Sequence, residues 1–296
     1  MLKPYYRVVF PNKLHILFCP TLRCNYHCSY CMQVKEGIPK DYKKSRELSV
    51  DQWEEAFSRL PPSRLLIAGG EPLLYEGLPD LLNRIAARHS LLGMVSNGST
   101  NVHLLRQIRQ PVTLNVSFHR EHTDEATFVQ RIEELRQFAK VSVYIVATGE
   151  NLPLVRELRQ RFEARGVPLH VDPCTDMPVD YSAEQVQELR TVVTPDREME
   201  WRGKVRSSYR KRCSAGRNYI WLNPDGEALS CGSGFGYTRF HSRAPLLADR
   251  SVAQFKIGNV LDKQFRLRAK DVTCDLPCID ACDVDHAIIN ILHPLP

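Results

Sequence analysis

A chain of 296 residues, 43% hydrophobic and 25% charged, is long enough for one large or two moderate domains with a real core and reads as an ordinary soluble globular protein. The first residues hold no apolar run long enough for a secretory signal, and no stretch approaches the roughly 18 apolar residues of a membrane span; the expectation is a cytoplasmic protein with no membrane partner. Forty Lys+Arg against 34 Asp+Glu give +6, a mild excess that permits an anionic partner without requiring one.

Along the chain, short β-rich apolar runs alternate with longer amphipathic segments. Strands are expected over 14–18, 65–68, 93–96, 113–118, 141–147 and 169–172, and helices over about 50–59, 78–88, 102–110, 124–139, 152–165 and 183–192. Such alternation implies successive strand-helix units and a parallel sheet. Six units fit an α/β fold, a partial (βα)6 TIM-like barrel, and right-handed crossovers would open all its strand C-termini on one face. Near residue 194 the alternation stops and Arg, Gly, Ser and Cys become frequent. A boundary there divides the chain into a barrel, 1–193, and a small cysteine-rich α+β domain, 194–296. The basic run 202–212 reads as a solvated linker or helix, with a clamp for an anionic substrate as its sharper alternative.

Ten cysteines in a reducing compartment do not suggest a disulfide framework. They group as Cys24, Cys28 and Cys31 and as Cys213, Cys231, Cys274, Cys278 and Cys282, with Cys19 and Cys174 outside both groups. Clustering of that kind points to metal. In the first group the spacing is C-x3-C-x2-C, on one short loop directly after the first strand. Three thiolates so placed can hold three irons of a [4Fe–4S] cluster and leave the fourth iron without a protein ligand. Structural zinc, with His27 or Cys19 as fourth ligand, is the competing account, although zinc sites usually draw paired ligands from two separate knuckles.

After the second strand comes Gly69-Gly70-Glu71-Pro72, where two glycines allow close backbone approach and Glu71 offers an acceptor for a protonated amine. Ser96-Asn97-Gly98 closes the third strand, and Ser117 lies at the end of the fourth, in Val116-Ser117-Phe118-His119. Cysteine loop and Gly-Gly-Glu-Pro, in this order and register, resemble the signature of the radical S-adenosylmethionine (SAM) superfamily. The resemblance implies that SAM chelates the open iron and is cleaved to a 5′-deoxyadenosyl radical. It also implies a SAM site built from Gly69, Gly70, Glu71 and Pro72 at the amino group, Ser96 and Asn97 at the ribose, and Tyr30 beside the adenine. Only Ser117 is carried over from the fourth strand, because Phe-His stands where the family has Ile-Asp. A flavodoxin- or ferredoxin-type electron donor follows from the same resemblance.

In the C-terminal part, Asn223-Pro224-Asp225-Gly226 is a turn signal between two short apolar runs, so a hairpin would bring Cys213 and Cys231 together. The pattern C-x12-G-x4-C, then Gly258-Asn259, then C-x3-C-x3-C at Cys274, Cys278 and Cys282 is similar to the SPASM and twitch domains of some radical SAM enzymes. A full SPASM domain has seven cysteines and this chain has five here. The resemblance therefore implies one auxiliary [4Fe–4S] cluster, held by Cys213, Cys231 and two of the other three; a zinc knuckle is the competing account.

On this reading a radical enzyme takes a hydrogen atom from its substrate, and the leading expectation is dehydrogenation of a small-molecule biosynthetic intermediate. A peptide or protein substrate is the alternative. Dehydrogenation needs a base near the radical carbon. His119, Asp172 and Asp176 are the candidates at the strand C-termini, and Cys174 at the same mouth could donate a hydrogen atom or ligate. A zinc-bearing module that binds nucleic acid through residues 202–212 is the alternative of another class.

Overall fold

The computed structural model describes residues 14–31, 46–99, 102–173, 181–192, 212–230 and 255–273. Cys174, Asp176, Cys231, Cys274, Cys278, Cys282 and most of the 202–212 run lie outside the described residues. In chain order the elements begin with β1 (Leu14–Phe18), α1 (Val50–Arg59), β2 (Ser63–Ile67), α2 (Leu78–Ile85), β3 (Ser90–Ser96) and β4 (Thr113–Ser117). They continue with α3 (Glu125–Leu135), β5 (Lys140–Ala147), α4 (Leu152–Glu163), β6 (Leu169–Pro173) and α5 (Ala183–Val192). Short strands close the series: β7 (Arg212–Cys213), β8 (Tyr219–Leu222), β9 (Glu227–Leu229), β10 (Lys256–Asn259) and β11 (Val272–Thr273).

Strands β1 to β6 lie side by side in sequence order, each parallel to the next, as repeated strand-helix units require. This is the expected α/β partial barrel. On each strand, alternate residues turn outward to the helices. Leu14, Ile16 and Phe18 of β1 join the main core, where Phe18 meets Trp53 and Phe57 of α1 edge-on at 4.7 and 5.4 Å. A capping box starts that helix: the Ser49 hydroxyl accepts from the Gln52 amide, and the Gln52 side chain accepts from the Ser49 amide. The opposite parity is more polar. His15, Arg64, Asn115, Ser117, Ser142, Tyr144, His170 and Asp172 are on the other, inner face.

The third crossover differs from expectation. Residues 102–110 were expected to be α-helical, but the chain forms a 3-10 segment, Val102–Gln107. Its end is held by Asn83, whose amide donates to the Gln107 carbonyl (2.6 Å) and whose carbonyl oxygen accepts from the Arg109 amide (2.8 Å). With Pro111 following, there is no room to continue a helix before β4.

The C-terminal hairpin does not stand off as a separate sheet. β8 pairs parallel to β1 on the side away from β2, and β9 and β10 follow antiparallel, so the sheet order is β10-β9-β8-β1-β2-β3-β4-β5-β6. The Asn223–Gly226 turn forms as the sequence signals. Gly226 has φ +83°, and a Cβ there would come to 2.8 Å from the Asn259 side-chain oxygen. Asn259 is the staple: its amide nitrogen donates to the Asp225 carbonyl (2.9 Å), and its oxygen accepts from the Leu261 amide (2.9 Å). Among the described residues no helix is long and apolar enough to cross a membrane.

Two stability predictions follow from these contacts. Asn259→Ala, which leaves the turn carbonyl and the Leu261 amide without their partner, should cost about 1–3 kcal/mol in urea unfolding. Buried His15, with neither ring nitrogen hydrogen-bonded among the described residues, has its pKa pushed down to about 4 by burial and then by Arg64. His89, buried between the Ser63 hydroxyl (2.6 Å) and the Phe57 carbonyl (3.1 Å), is pushed down as well, chiefly by burial. Both fold neutral, so below about pH 6.5 the unfolded chain binds more protons than the folded one. Stability should fall as pH drops from about 6.5 toward 4, and His15→Leu should flatten that slope in urea titrations at pH 7 and pH 5.

Candidate functional site

Beyond β1 the chain runs over the C-terminal ends of β2 and β3, and its base is fixed first. Cys19 continues the strand register by donating its amide to the Leu222 carbonyl of β8 (2.9 Å). The Thr21 and Arg23 carbonyls then accept from the Gly70 and Glu71 amides at 3.0 and 2.7 Å. A Cβ on Gly69 would collide with the Thr21 oxygen, and one on Gly70 with the Arg23 oxygen; Gly69 also has φ +127°. The two glycines thus make room for the cysteine loop's own backbone, not for a ligand alone. From the other side Arg23 forms a two-pronged pair with Glu47 (2.7 and 2.9 Å) and donates to the Leu74 carbonyl (2.7 Å).

Glu71 is fully buried. Its carboxylate accepts from the Ser96 hydroxyl (2.9 Å), the Asn97 amide (2.8 Å) and the Leu73 amide (3.2 Å). Burying a carboxylate is costly unless its oxygens are satisfied, and here they bind the end of β3 to the Gly-Gly-Glu-Pro turn. The acceptor expected for a ligand amine is therefore already engaged within the protein. Asn97 extends the linkage: its side-chain nitrogen donates to the Asn25 oxygen (3.0 Å) and lies 3.8 Å from the Cys24 sulfur, while its oxygen accepts from the Ser99 amide (2.8 Å). The three sequence motifs are one hydrogen-bonded unit.

Cys24 and Cys31 are partly buried and Cys28 is buried; none of the three forms a disulfide. Cys24 accepts from the Tyr26 amide at 3.4 Å, and Cys28 Sγ is 3.1 Å from His119 Nδ1. Burial pushes the Cys28 thiol up to about 12, with Cys31, Glu121 and Cys24 adding to the shift. His119 is pushed down to about 4 by burial and then by His122, so its ring is neutral near pH 7. Among the described residues no three His, Cys, Asp or Glu side chains gather as they would around a single ion. A [4Fe–4S] cluster instead takes each iron by its own thiolate. The donor set fits such a group: three thiols on one loop, with the Tyr26 amide facing the Cys24 sulfur and the His119 ring nitrogen facing that of Cys28.

His119, expected as a base at the barrel mouth, is turned to the cysteine loop and also lies 2.7 Å from the Tyr30 hydroxyl, with the two rings stacked at 5.9 Å. Ser117 shares the inner face with Tyr144, to which it is paired; Tyr144 stacks on His170 at 4.7 Å, and Asp172 follows two residues on. Val146 and Tyr181 pack against Cys28 and Tyr30, which sets the loop over this polar face. Tyr144, His170, Glu121 and His122 were not singled out in the sequence; strand parity could have found the first two.

In the C-terminal part, Val272 of β11 pairs with Cys213 of β7, two residues before Cys274 in sequence. A Cβ on Gly216 would lie 3.1 Å from that of Ser230, the residue before Cys231. The described backbone thus gathers the sequence neighbours of three of the five later cysteines.

Residues 18–132 match the family model of the Radical SAM superfamily. A GTP 3',8-cyclase of Xanthomonas campestris pv. campestris (strain B100) is 32% identical over 114 residues, 36% of this chain and 33% of that protein. A GTP 3',8-cyclase of Pseudomonas putida (strain GB-1) is 34% identical over 126 residues, 40% of this chain and 36% of that one. The match thus spans about a third of the length of these curated relatives. Among solved structures, native anSMEcpe with bound AdoMet is similar at TM-score 0.56 and 12% identity, over 95% of this chain and 84% of that one. Streptococcus suis SuiB bound to precursor peptide SuiA is similar at TM-score 0.57 and 14% identity, over 85% and 63%. These two likenesses are of fold. Over residues 18–132, the span that carries the cysteine loop, Gly69–Pro72 and Ser96–Gly98, this chain is similar to the Radical SAM superfamily.

Gly70→Ala drives a methyl into the Arg23 carbonyl, and backbone cannot yield as a flexible side chain does. It should destabilise the chain by about 1–3 kcal/mol, measured by urea unfolding of the metal-free protein. Ser99→Ala, at the outer end of the linkage, should cost less than half as much.

Proposed function

We propose that this chain is a radical SAM enzyme in which Cys24, Cys28 and Cys31 hold a [4Fe–4S] cluster and the adjoining motifs hold SAM. The observation that carries the reading is the union of the three-cysteine loop, Gly69–Pro72 and Ser96–Gly98 through Glu71, whose amide bonds the Arg23 carbonyl at the root of the loop and whose buried carboxylate bonds Ser96 and Asn97. When bound, the cluster and SAM supply a 5′-deoxyadenosyl radical that removes a hydrogen atom from a substrate C–H bond. The protein's part is placement and exclusion of water. Glu71, committed to Ser96 and Asn97, shapes the SAM amino site through its backbone, Asn97 and Ser96 address the ribose, and Tyr30 and Ser117 border the adenine side.

The substrate we propose is a small polar molecule, dehydrogenated against the inner face that carries Ser117, Tyr144, His170 and Asp172. Asp172 is then the described candidate for the base, with Asp176 and Cys174 beyond it. A nucleotide is the first compound to test, since the curated relatives of the N-terminal part are named GTP 3',8-cyclases. Cys213, Cys231 and two of Cys274, Cys278 and Cys282 hold one auxiliary [4Fe–4S] cluster in a twitch-like C-terminal domain. Support for this comes from the pairing of β11 with β7 and the contact of Gly216 with Ser230. A flavodoxin or ferredoxin supplies the electron. A peptide substrate is the second reading, favoured by likeness of fold to SuiB bound to its precursor peptide.

Anaerobically purified protein should be brown and carry about eight irons and eight sulfides per chain, falling to about four of each in the C24A/C28A/C31A variant. With SAM and dithionite the parent should yield 5′-deoxyadenosine, and the triple variant none above background. A colourless protein holding zinc, with steeply salt-dependent nucleic-acid binding, would overturn the reading.

A further inference from the structure

The segment after β4, His119-Arg120-Glu121-His122, meets the cysteine loop at four successive residues. His122 Nε2 accepts from the His27 amide (3.1 Å), and its ring stacks on Tyr26 at 4.4 Å and 13°. The Glu121 carboxylate accepts from the Ser29 amide (2.7 Å) and the Ser29 hydroxyl (2.5 Å). His119 Nδ1 faces the Cys28 sulfur at 3.1 Å and the Tyr30 hydroxyl at 2.7 Å. Residues 27 to 30 of the loop are thus each gripped by this segment, although β4 and the loop lie some 90 positions apart in the chain.

We propose that His119 is a positioning residue for the cluster: its Nδ1–H donates to the Cys28 thiolate when that sulfur is bound to iron, and so raises the cluster's reduction potential. The inference rests on the cluster reading above. A thiolate bears no proton and can only accept, so the ring nitrogen 3.1 Å from an iron-bound Cys28 sulfur must carry the proton; the Tyr30 hydroxyl oxygen, which can also accept, shares it. Reduction places added negative charge on the cluster and its sulfurs, and an N–H aimed at one of them stabilises the reduced state more than the oxidised one. Glu121 and His122 bind backbone amides on the same loop and hold Cys28 at this nitrogen. Stacking on Tyr30 and the edge contact with Tyr26, at 5.7 Å, fix the plane of the His119 ring.

The test is a potentiometric titration followed by electron paramagnetic resonance, on anaerobically reconstituted full-length protein without SAM. The signal followed is the one that disappears in C24A/C28A/C31A. His119→Phe keeps the ring contacts but has no donor, whereas His119→Asn carries an N–H on the atom equivalent to Nδ1. With iron and sulfide contents equal to the parent's, the Phe variant should titrate at a more negative midpoint and the Asn variant should return toward the parent's. A fully loaded Phe variant with the parent's midpoint would overturn the proposal. If the Phe variant does not load, Asn loading at the parent's midpoint supports it and Asn failing to load overturns it. Absence of iron and sulfide from the parent itself would instead bring down the cluster reading, and this inference with it.

Discussion

Backbone packed on backbone at the top of β1 and β2 governs the rest of the site. The Thr21 and Arg23 carbonyls approach Gly69 and Gly70 so closely that no side chain fits between them, and both carbonyls are paired with amides of the Gly-Gly-Glu turn. Once that contact is made, Glu71 points into the protein, where Ser96 and Asn97 must meet it. The end of β3 is fixed by the same carboxylate that the turn buries. Cys24 and Asn25 then come within reach of Asn97, so a constraint between two strands becomes a constraint on the cysteine loop.

The loop's far side has a different anchor. Cys28 to Cys31 close a tight turn of their own, with the Cys31 amide on the Cys28 carbonyl at 3.0 Å, and the segment after β4 holds that turn through Ser29, His119 and His27. Strand ends β1 to β4 therefore all contribute to one loop. A parallel sheet with its crossovers on the outside makes this possible, because every strand delivers its C-terminal residues to the same face.

The C-terminal strands reinforce this arrangement from the other side of β1. β8 completes the pairing of β1, and Cys19, at the root of the loop, donates to its last residue. The second part of the chain is thus joined to the first through the strand that carries the cysteine loop. Asn259, which the sequence offered only as part of a motif, ties the hairpin turn to β10.

Local signals were sufficient for much of this. Alternation of apolar runs and amphipathic segments is a short-range property, and it placed β1 to β6 and most helices within a few residues. The three cysteines lie on one loop, so their spacing carries the chemistry without any tertiary information; the Asn223–Gly226 turn is likewise written in four adjacent residues. Helix 102–110 was misread because a side chain from α2, Asn83, holds its end. For Glu71 and His119 the sequence shows only polar residues at strand ends, an acceptor and a candidate base. What their atoms face is set by residues 25 and 91 positions away, Ser96 and Cys28. The sequence by itself determined the strand-helix order and the grouping of three cysteines on one loop, which depend on neighbours in the chain. Tertiary structure alone decided which polar groups remain for a ligand, because hydrogen bonds across the strand ends form only after the sheet has brought them together.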